Sequence, residues 1–158
     1  AVAWAACAQA LPHTAIATVY AHSQRFQSNN SLLPAPMVAL RSNTHAPAQF
    51  AFDKAQLGGP KGLIALVVSA CDKEKEILQT QVLKQAREQL DLPDLQAIKT
   101  IIDKRATFSC TPHVQRPTAK IAPKLWACGD YLAGPYPATL EGAVRSGLHV
   151  AQALEQLR

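Results

Sequence analysis

Leu63–Ser69 reads LIALVVS, seven residues without a charge, bounded by a Gly/Pro turn before it and a charged stretch after it. A run this short cannot be a free-standing apolar helix. Rich in Val, Ile and Leu, it reads as a strand buried on both faces. A chain that owns such a strand must supply neighbours on both its edges and cover for both its faces. Gly58-Gly59-Pro60-Lys61-Gly62 directly precedes it. These glycines do not form G-x-G-x-x-G, and no helix follows, so they predict a hairpin connection rather than a phosphate loop.

The remaining segments supply candidates for those neighbours. Ala1–Leu11 places Trp4, Cys7 and Leu11 at helical spacing and predicts a helix ending before Pro12. Thr14–Tyr20, Val38–Arg41, Gln49–Asp53 and Ala97–Asp103, with Arg105–Cys110 continuing the last, read as strands. Ser23–Ser31 is a polar loop, and Leu32–Met37 is an extended segment broken by prolines. Asp72 is a candidate N-cap for a helix over about 73–90, with Ile77, Leu78, Val82, Leu83, Ala86 and Leu90 as its apolar stripe. Proline-punctuated loop runs from Thr111 to Pro123. The apolar run Leu125–Cys128 then ends at Gly129-Asp130, a broken loop spans Tyr131–Pro137, and a final helix opens near Ala138-Thr139. Its apolar face is Leu140, Ala143, Val144, Gly147, Leu148, Ala151 and Leu154. Strands and helices are mixed rather than regularly alternating, which gives an α+β (mixed α/β) fold.

The charge balance narrows the function classes. Formal net charge is +5, but the basic residues are dispersed and no block of five like charges occurs. A nucleic-acid partner is therefore not expected. The charge is compatible with peripheral contact to anionic lipid headgroups. No apolar run reaches the roughly 20 residues of a membrane span. The four cysteines, Cys7, Cys71, Cys110 and Cys128, form no C-x-x-C pair, and no histidine stands at ligand spacing from one. They read as buried, reduced residues of a cytoplasmic protein, and no metal site is expected. The chain begins without Met and without a basic segment ahead of its first apolar residues, so it reads as a fragment or processed chain.

Gly129-Asp130 followed by Tyr136-Pro-Ala-Thr-Leu-Glu-Gly-Ala-Val-Arg-Ser-Gly147 resembles the C-terminal flavin motif of the FAD-dependent amine oxidase and phytoene desaturase superfamily. The similarity is greatest to the squalene-associated FAD-dependent desaturases, which include hydroxysqualene dehydroxylases. Thr14–Tyr20, Leu33–Met37 and Lys104–Pro112 resemble the same family in the same order.

The resemblance implies a division into a substrate-binding portion, 1–123, and the closing strand and helix of an FAD-binding domain, 124–158. The substrate portion would be a mixed sheet with packing helices. Asp130 would hydrogen-bond a ribityl hydroxyl of FAD. The backbone at Ala138, Thr139 and above all Leu140 would approach the pyrimidine edge, with Gly129 and Gly142 allowing close approach. Glu141 and Arg145 would be structural. Met37, Phe50, Phe52 and Tyr136 are candidates for the wall of a channel for an apolar isoprenoid. No catalytic side chain is assigned, because hydride transfer at the flavin leaves the protein to position and polarise. The G-x-G-x-x-G that holds the ADP part of FAD is absent from this sequence. Full-length function therefore implies a dinucleotide-binding half as partner, and the chain alone is expected to lack FAD and activity and to self-associate through apolar surface. A flavin amine oxidase is the runner-up; Thr139, which is not aromatic, speaks against an amine cage.

Overall fold

Strand β4 (Leu63–Ser69) has a neighbour on each edge, as its sequence demands: β3 (Phe50–Asp53) and β1 (His13–His22), both antiparallel to it. With β2 (Met37–Ala39) and β5 (Gln96–Phe108) they make a five-stranded sheet in the order β2-β3-β4-β1-β5. The computed structural model describes residues 1–25 and 31–156, so most of the expected Ser23–Ser31 loop lies outside the described residues. The fold is α+β, with three α-helices, the five-stranded sheet and a two-stranded one among the described residues. It forms two compact units: Thr14–Ala106 is one, and Ala1–His13 with Thr107–Arg158 is the other. These are units of packing, whereas the 123/124 division follows the cofactor-domain resemblance. Among the described residues no helix is long and apolar enough to cross a membrane.

In the Thr14–Ala106 unit, register decides which residues meet. Ala51, Leu66 and Val19 align across three strands and face the same side. Together with Ala17, Ala21, Ile64 and Val68 they form a core with Leu78, Val82 and Ala86 of α2 (Lys75–Gln89). Each fully buried Leu, Ile or Val contributes roughly 1.5–3 kcal/mol. The opposite sheet face carries the row Met37–Phe52–Ala65–Tyr20 beside the row Ala39–Phe50–Val67–Thr18. Met37 is 52% exposed there and Phe50 38%. The Gly58–Gly62 turn closes the β3–β4 hairpin, as expected, with a 3-10 turn at Ala55–Leu57 ahead of it.

Two polar side chains hold this unit together. Asp53 is fully buried. Its carboxylate accepts the N–H groups of Leu32 (2.7 Å), Leu33 (3.1 Å) and Ala55 (3.1 Å) and the Gln56 amide (3.0 Å). Burial pushes this carboxyl up, but the Gln56, Leu32, Leu33 and Ala55 donors together outweigh it and hold it below the ordinary 3.8. The proline-broken 32–37 segment is thus tied into the core at Leu32 and Leu33, both buried. Gln85, also buried, accepts the Ala48 N–H and donates to the Ala48 and Arg41 carbonyls. It stands seven residues after Leu78 and three after Val82, so it lies on the buried face of the helix.

Helix α2 starts two residues later than the sequence indicates. Glu74, not Asp72, occupies the N-cap, and its side chain makes no cap bond. Ala70 in the left-handed region (φ 51°) keeps the chain out of helical geometry just before. At the other end Leu92 N–H reaches the Arg87 carbonyl (3.3 Å) across Asp91 (φ 53°), a Schellman closure built on Asp instead of Gly.

In the other unit, α1 (Val2–Gln9) leads to two short strands and α3 (Leu140–Glu155). Two expectations change. The loop up to Pro123 contains β6 (Lys120–Ala122), paired antiparallel with β7, and the Leu125–Cys128 run yields only the two-residue strand β7 (Leu125–Trp126). The apolar face of α3 is not buried: Leu140, Val144 and Leu148 are 88%, 60% and 59% exposed. The small residues Gly142, Ala143, Ser146 and Gly147 are the more buried side. The cysteines also depart from the expectation of burial, since Cys7 and Cys71 are half-buried and Cys110 and Cys128 exposed; all four are free thiols.

Candidate functional site

The start of α3 is fixed by Thr139. Its backbone is extended, its hydroxyl accepts the Gly142 N–H at 3.0 Å, and it donates to the Tyr136 carbonyl at 2.6 Å. One hydroxyl thereby caps the helix and anchors the turn before it. The N–H groups of Leu140 and Glu141 precede the first intrahelical donor, Ala143 N–H, which bonds the Thr139 carbonyl at 3.1 Å, so they point out of the helix end with its positive dipole. Tyr136 and Ala138 flank Pro137 in the left-handed region, at φ 57° and 56°. Such conformations in non-glycine residues cost about 1 kcal/mol or more each and collect at ligand-facing turns.

Gly129-Asp130 is stitched to this helix start twice. Gly129 N–H donates to Ser146 Oγ at 3.1 Å, and Ala138 N–H donates to the Asp130 carbonyl at 3.3 Å. Both glycines have an intramolecular reason to be glycine. A Cβ at Gly129 would meet the Tyr131 ring at 2.5 Å, and one at Gly142 would lie 2.2 Å from the Tyr136 carbonyl oxygen. The loop is braced from behind by Arg116, which donates to the carbonyls of Leu132 (2.7 Å) and Gly134 (2.6 Å). Trp4 packs edge-on against Tyr131, at 6.5 Å between ring centres.

Between loop and helix lies a cleft of about 440 Å³. Gly129, Asp130, Leu132, Gly134, Gly142, Arg145, Ser146 and His149 are among its lining residues. The Asp130 carboxylate is half-buried and has no hydrogen-bond partner among the described residues. Arg145 is bonded to Glu141 one turn back, stacks 5.1 Å from the Tyr136 ring centre, and is pushed further up by that carboxylate. Of the sequence-derived candidates, Gly129, Asp130 and Gly142 therefore share one cleft. Ala138, Thr139 and Leu140 form the helix start beside it, and Tyr136 the turn. Met37, Phe50 and Phe52 belong to the sheet of the other unit, where Met37 and Phe52 are cross-strand partners. Arg116 and His149 were not singled out from sequence, and Ser146 only as one of the small residues, with Gly142, Ala143 and Gly147, that let the final helix approach a sheet or a ligand closely. Its position four residues after Gly142 puts Ser146 on the same helical face.

A second cleft, of about 310 Å³, lies in the Thr14–Ala106 unit beside Cys71 and Lys73. The Lys73 amine is bonded to the Thr44 carbonyl and the Gln81 amide oxygen, so its charge is already engaged. Among the described residues no three His, Cys, Asp or Glu side chains gather to hold a metal. No family model matches the chain, and no curated protein matches it.

Proposed function

We propose that this chain is the C-terminal part of an FAD-dependent oxidoreductase acting on a polyisoprenoid of the hydroxysqualene, squalene or carotenoid-precursor type. On its own it is a non-catalytic substrate-domain portion that does not retain FAD. The observation that carries this reading is the stitched pair of Gly129-Asp130 and the Thr139-capped helix start, opening on one cleft. The cofactor fits what these residues offer. Asp130 has an unengaged carboxylate for a ribityl hydroxyl, and the Leu140 and Glu141 N–H groups suit an electron-rich ring edge that gains negative charge on reduction. When bound, the flavin supplies hydride transfer. The chain's own part is to orient through Asp130, to stabilise charge at the α3 N-terminus, and to take up hydrocarbon. For that last role the exposed sheet face bearing Met37, Phe50, Phe52 and Tyr20 is apolar and aromatic. Thr139 spends its hydroxyl on the cap and offers no aromatic wall, which disfavours the amine oxidase alternative.

The test uses the full reading frame. It should encode a G-x-G-x-x-G strand-helix unit upstream, and the full-length protein should quench FAD fluorescence stoichiometrically. Asp130→Ala should weaken that binding by roughly 10- to 100-fold, the worth of a hydrogen bond to a charged group. A frame without that motif, or a full-length protein indifferent to FAD, would end the proposal. Stoichiometric FAD uptake by the 158-residue chain itself would end its second half.

A further inference from the structure

We propose that the β6–β7 hairpin is a contact site for an anionic lipid bilayer, with Lys120 and Lys124 on the headgroups and Leu125 in the acyl boundary. The first observation is a charge asymmetry. Asp103 and Asp130 are consecutive acidic residues of the chain, and between them stand five basic ones: Lys104, Arg105, Arg116, Lys120 and Lys124. Elsewhere 11 basic residues match the 11 acidic ones, so this stretch carries the whole formal net charge of +5. The cations are too far apart to form a run; the bias lies in the missing acids. An excess of one sign in one part of a chain marks contact with a polyanion or an anionic surface.

The fold sets part of this charge on one exposed turn. Pro123-Lys124 joins β6 to β7, and the Ala127 N–H bond to the Ala119 carbonyl, at 2.8 Å, closes their base. Pro123, Lys124 and Leu125 are exposed, Leu125 by 50%. Lys124 stands at φ 62°, where glycine is the easier residue. The turn thus bears a cation at a position whose backbone does not ask for one. Lys120 is exposed as well, and its Nζ lies 5.8 Å from the ring centre of Trp126, its cross-strand partner. Arg116, by contrast, spends its guanidinium on the Leu132 and Gly134 carbonyls.

A bilayer fits this set better than a nucleic acid does. Lysine stems can lie along hydrocarbon while their ammonium groups reach phosphate and carboxylate headgroups. An exposed aliphatic side chain beside them gains by entering the acyl boundary, with a tryptophan at headgroup depth. Single-stranded nucleic acid needs open aromatic faces for stacking. The Trp126 ring is half-buried and already faced by Lys120. The contact is independent of the flavin reading.

The assay is co-sedimentation of the intact chain with vesicles. Phosphatidylcholine vesicles containing about 30% phosphatidylserine should carry the chain down at about 0.1 M salt and release most of it at about 1 M. Pure phosphatidylcholine vesicles should leave it in solution. Lys124→Gly removes the cation while easing the turn, and should weaken binding roughly fivefold. Leu125→Ser should weaken it roughly fivefold as well, through lost apolar burial. Lys84→Gln takes the same charge from an exposed position on α2 and should change binding by less than about twofold. Circular dichroism should be the same for the wild type and all three variants. A chain that ignores the anionic vesicles overturns the proposal. So does equal binding to pure phosphatidylcholine, or a loss in Lys84→Gln equal to that in Lys124→Gly. Poly-uridylate RNA bound as tightly as the anionic vesicles, with Leu125→Ser affecting neither, would overturn the bilayer as partner.

Discussion

Replacing Gly142 by alanine puts a methyl carbon 2.2 Å from the Tyr136 carbonyl oxygen, 3.2 Å from its carbon and 3.3 Å from Thr139 Oγ1. In an ordinary helix interior the exchange stabilises by about 0.5–1 kcal/mol, because alanine loses less backbone freedom on folding. Here the obstacle is backbone, and that backbone is doubly committed. The Tyr136 carbonyl accepts the Thr139 hydroxyl, and the same hydroxyl caps Gly142 N–H. Moving the carbonyl away costs the overpacking term of about 1–3 kcal/mol and much of the cap, about 1 kcal/mol. After subtracting the helix gain, Gly142→Ala should destabilise by about 1–3 kcal/mol. Gly147 sits five residues on in the same helix with nothing within 4 Å of its Cβ position. Gly147→Ala should therefore stabilise by about 0.5–1 kcal/mol. Urea unfolding followed by circular dichroism reads both as shifts in midpoint at constant slope. Midpoints that rise for both variants would show that the Tyr136 turn does not press on the helix, and the account of the α3 start would fall with it.

Two further outcomes follow from the buried polar groups. Asp53→Asn sets an amide N–H₂ among donors that need acceptors, and should cost about 2–4 kcal/mol in chemical denaturation. Because the folded carboxyl lies below its unfolded value, its contribution is full above about pH 4 and lost as pH falls through the lowered value. The gap between wild type and variant should narrow only in that acid range; a gap independent of pH there would refute the assignment. Gln85→Leu leaves the Ala48 N–H and the Ala48 and Arg41 carbonyls without this partner. It should lower stability by about 2–3 kcal/mol despite its greater apolarity, and a neutral midpoint would refute that.

Much of the sheet was legible because its signals are local. LIALVVS announces a doubly flanked strand by composition alone, and the glycine turn before it announces a hairpin. The start of α2 was misplaced because a left-handed Ala70 is not written in residue type. Asp53 looked like the polar end of a strand, and its four donors come from segments 20 residues upstream and two or three residues downstream, which no local pattern exposes. α3 shows the limit of periodicity most plainly. Leu140, Val144, Leu148 and Leu154 state which side is apolar, but close approach to the loop is decided by Gly142 and Ser146, which carry little hydrophobicity. In the candidate site, Gly129, Asp130 and Gly142 were legible together only through resemblance. Arg116 and His149 have no sequence signature tying them to it.

The Asp53 cluster has a consequence for ionic strength. Among the described residues, the donors that bond this buried carboxylate are neutral, three backbone amides and a glutamine. The exposed Glu141–Arg145 pair is an interaction between two formal charges, and dissolved ions compete with it within a Debye length of about 10 Å. Mobile ions do not reach Asp53, and its donors among the described residues carry no formal charge whose attraction they could screen. The lock on Leu32 and Leu33 should hold in brine and open in acid, whereas the clasp beside the cleft should loosen in brine.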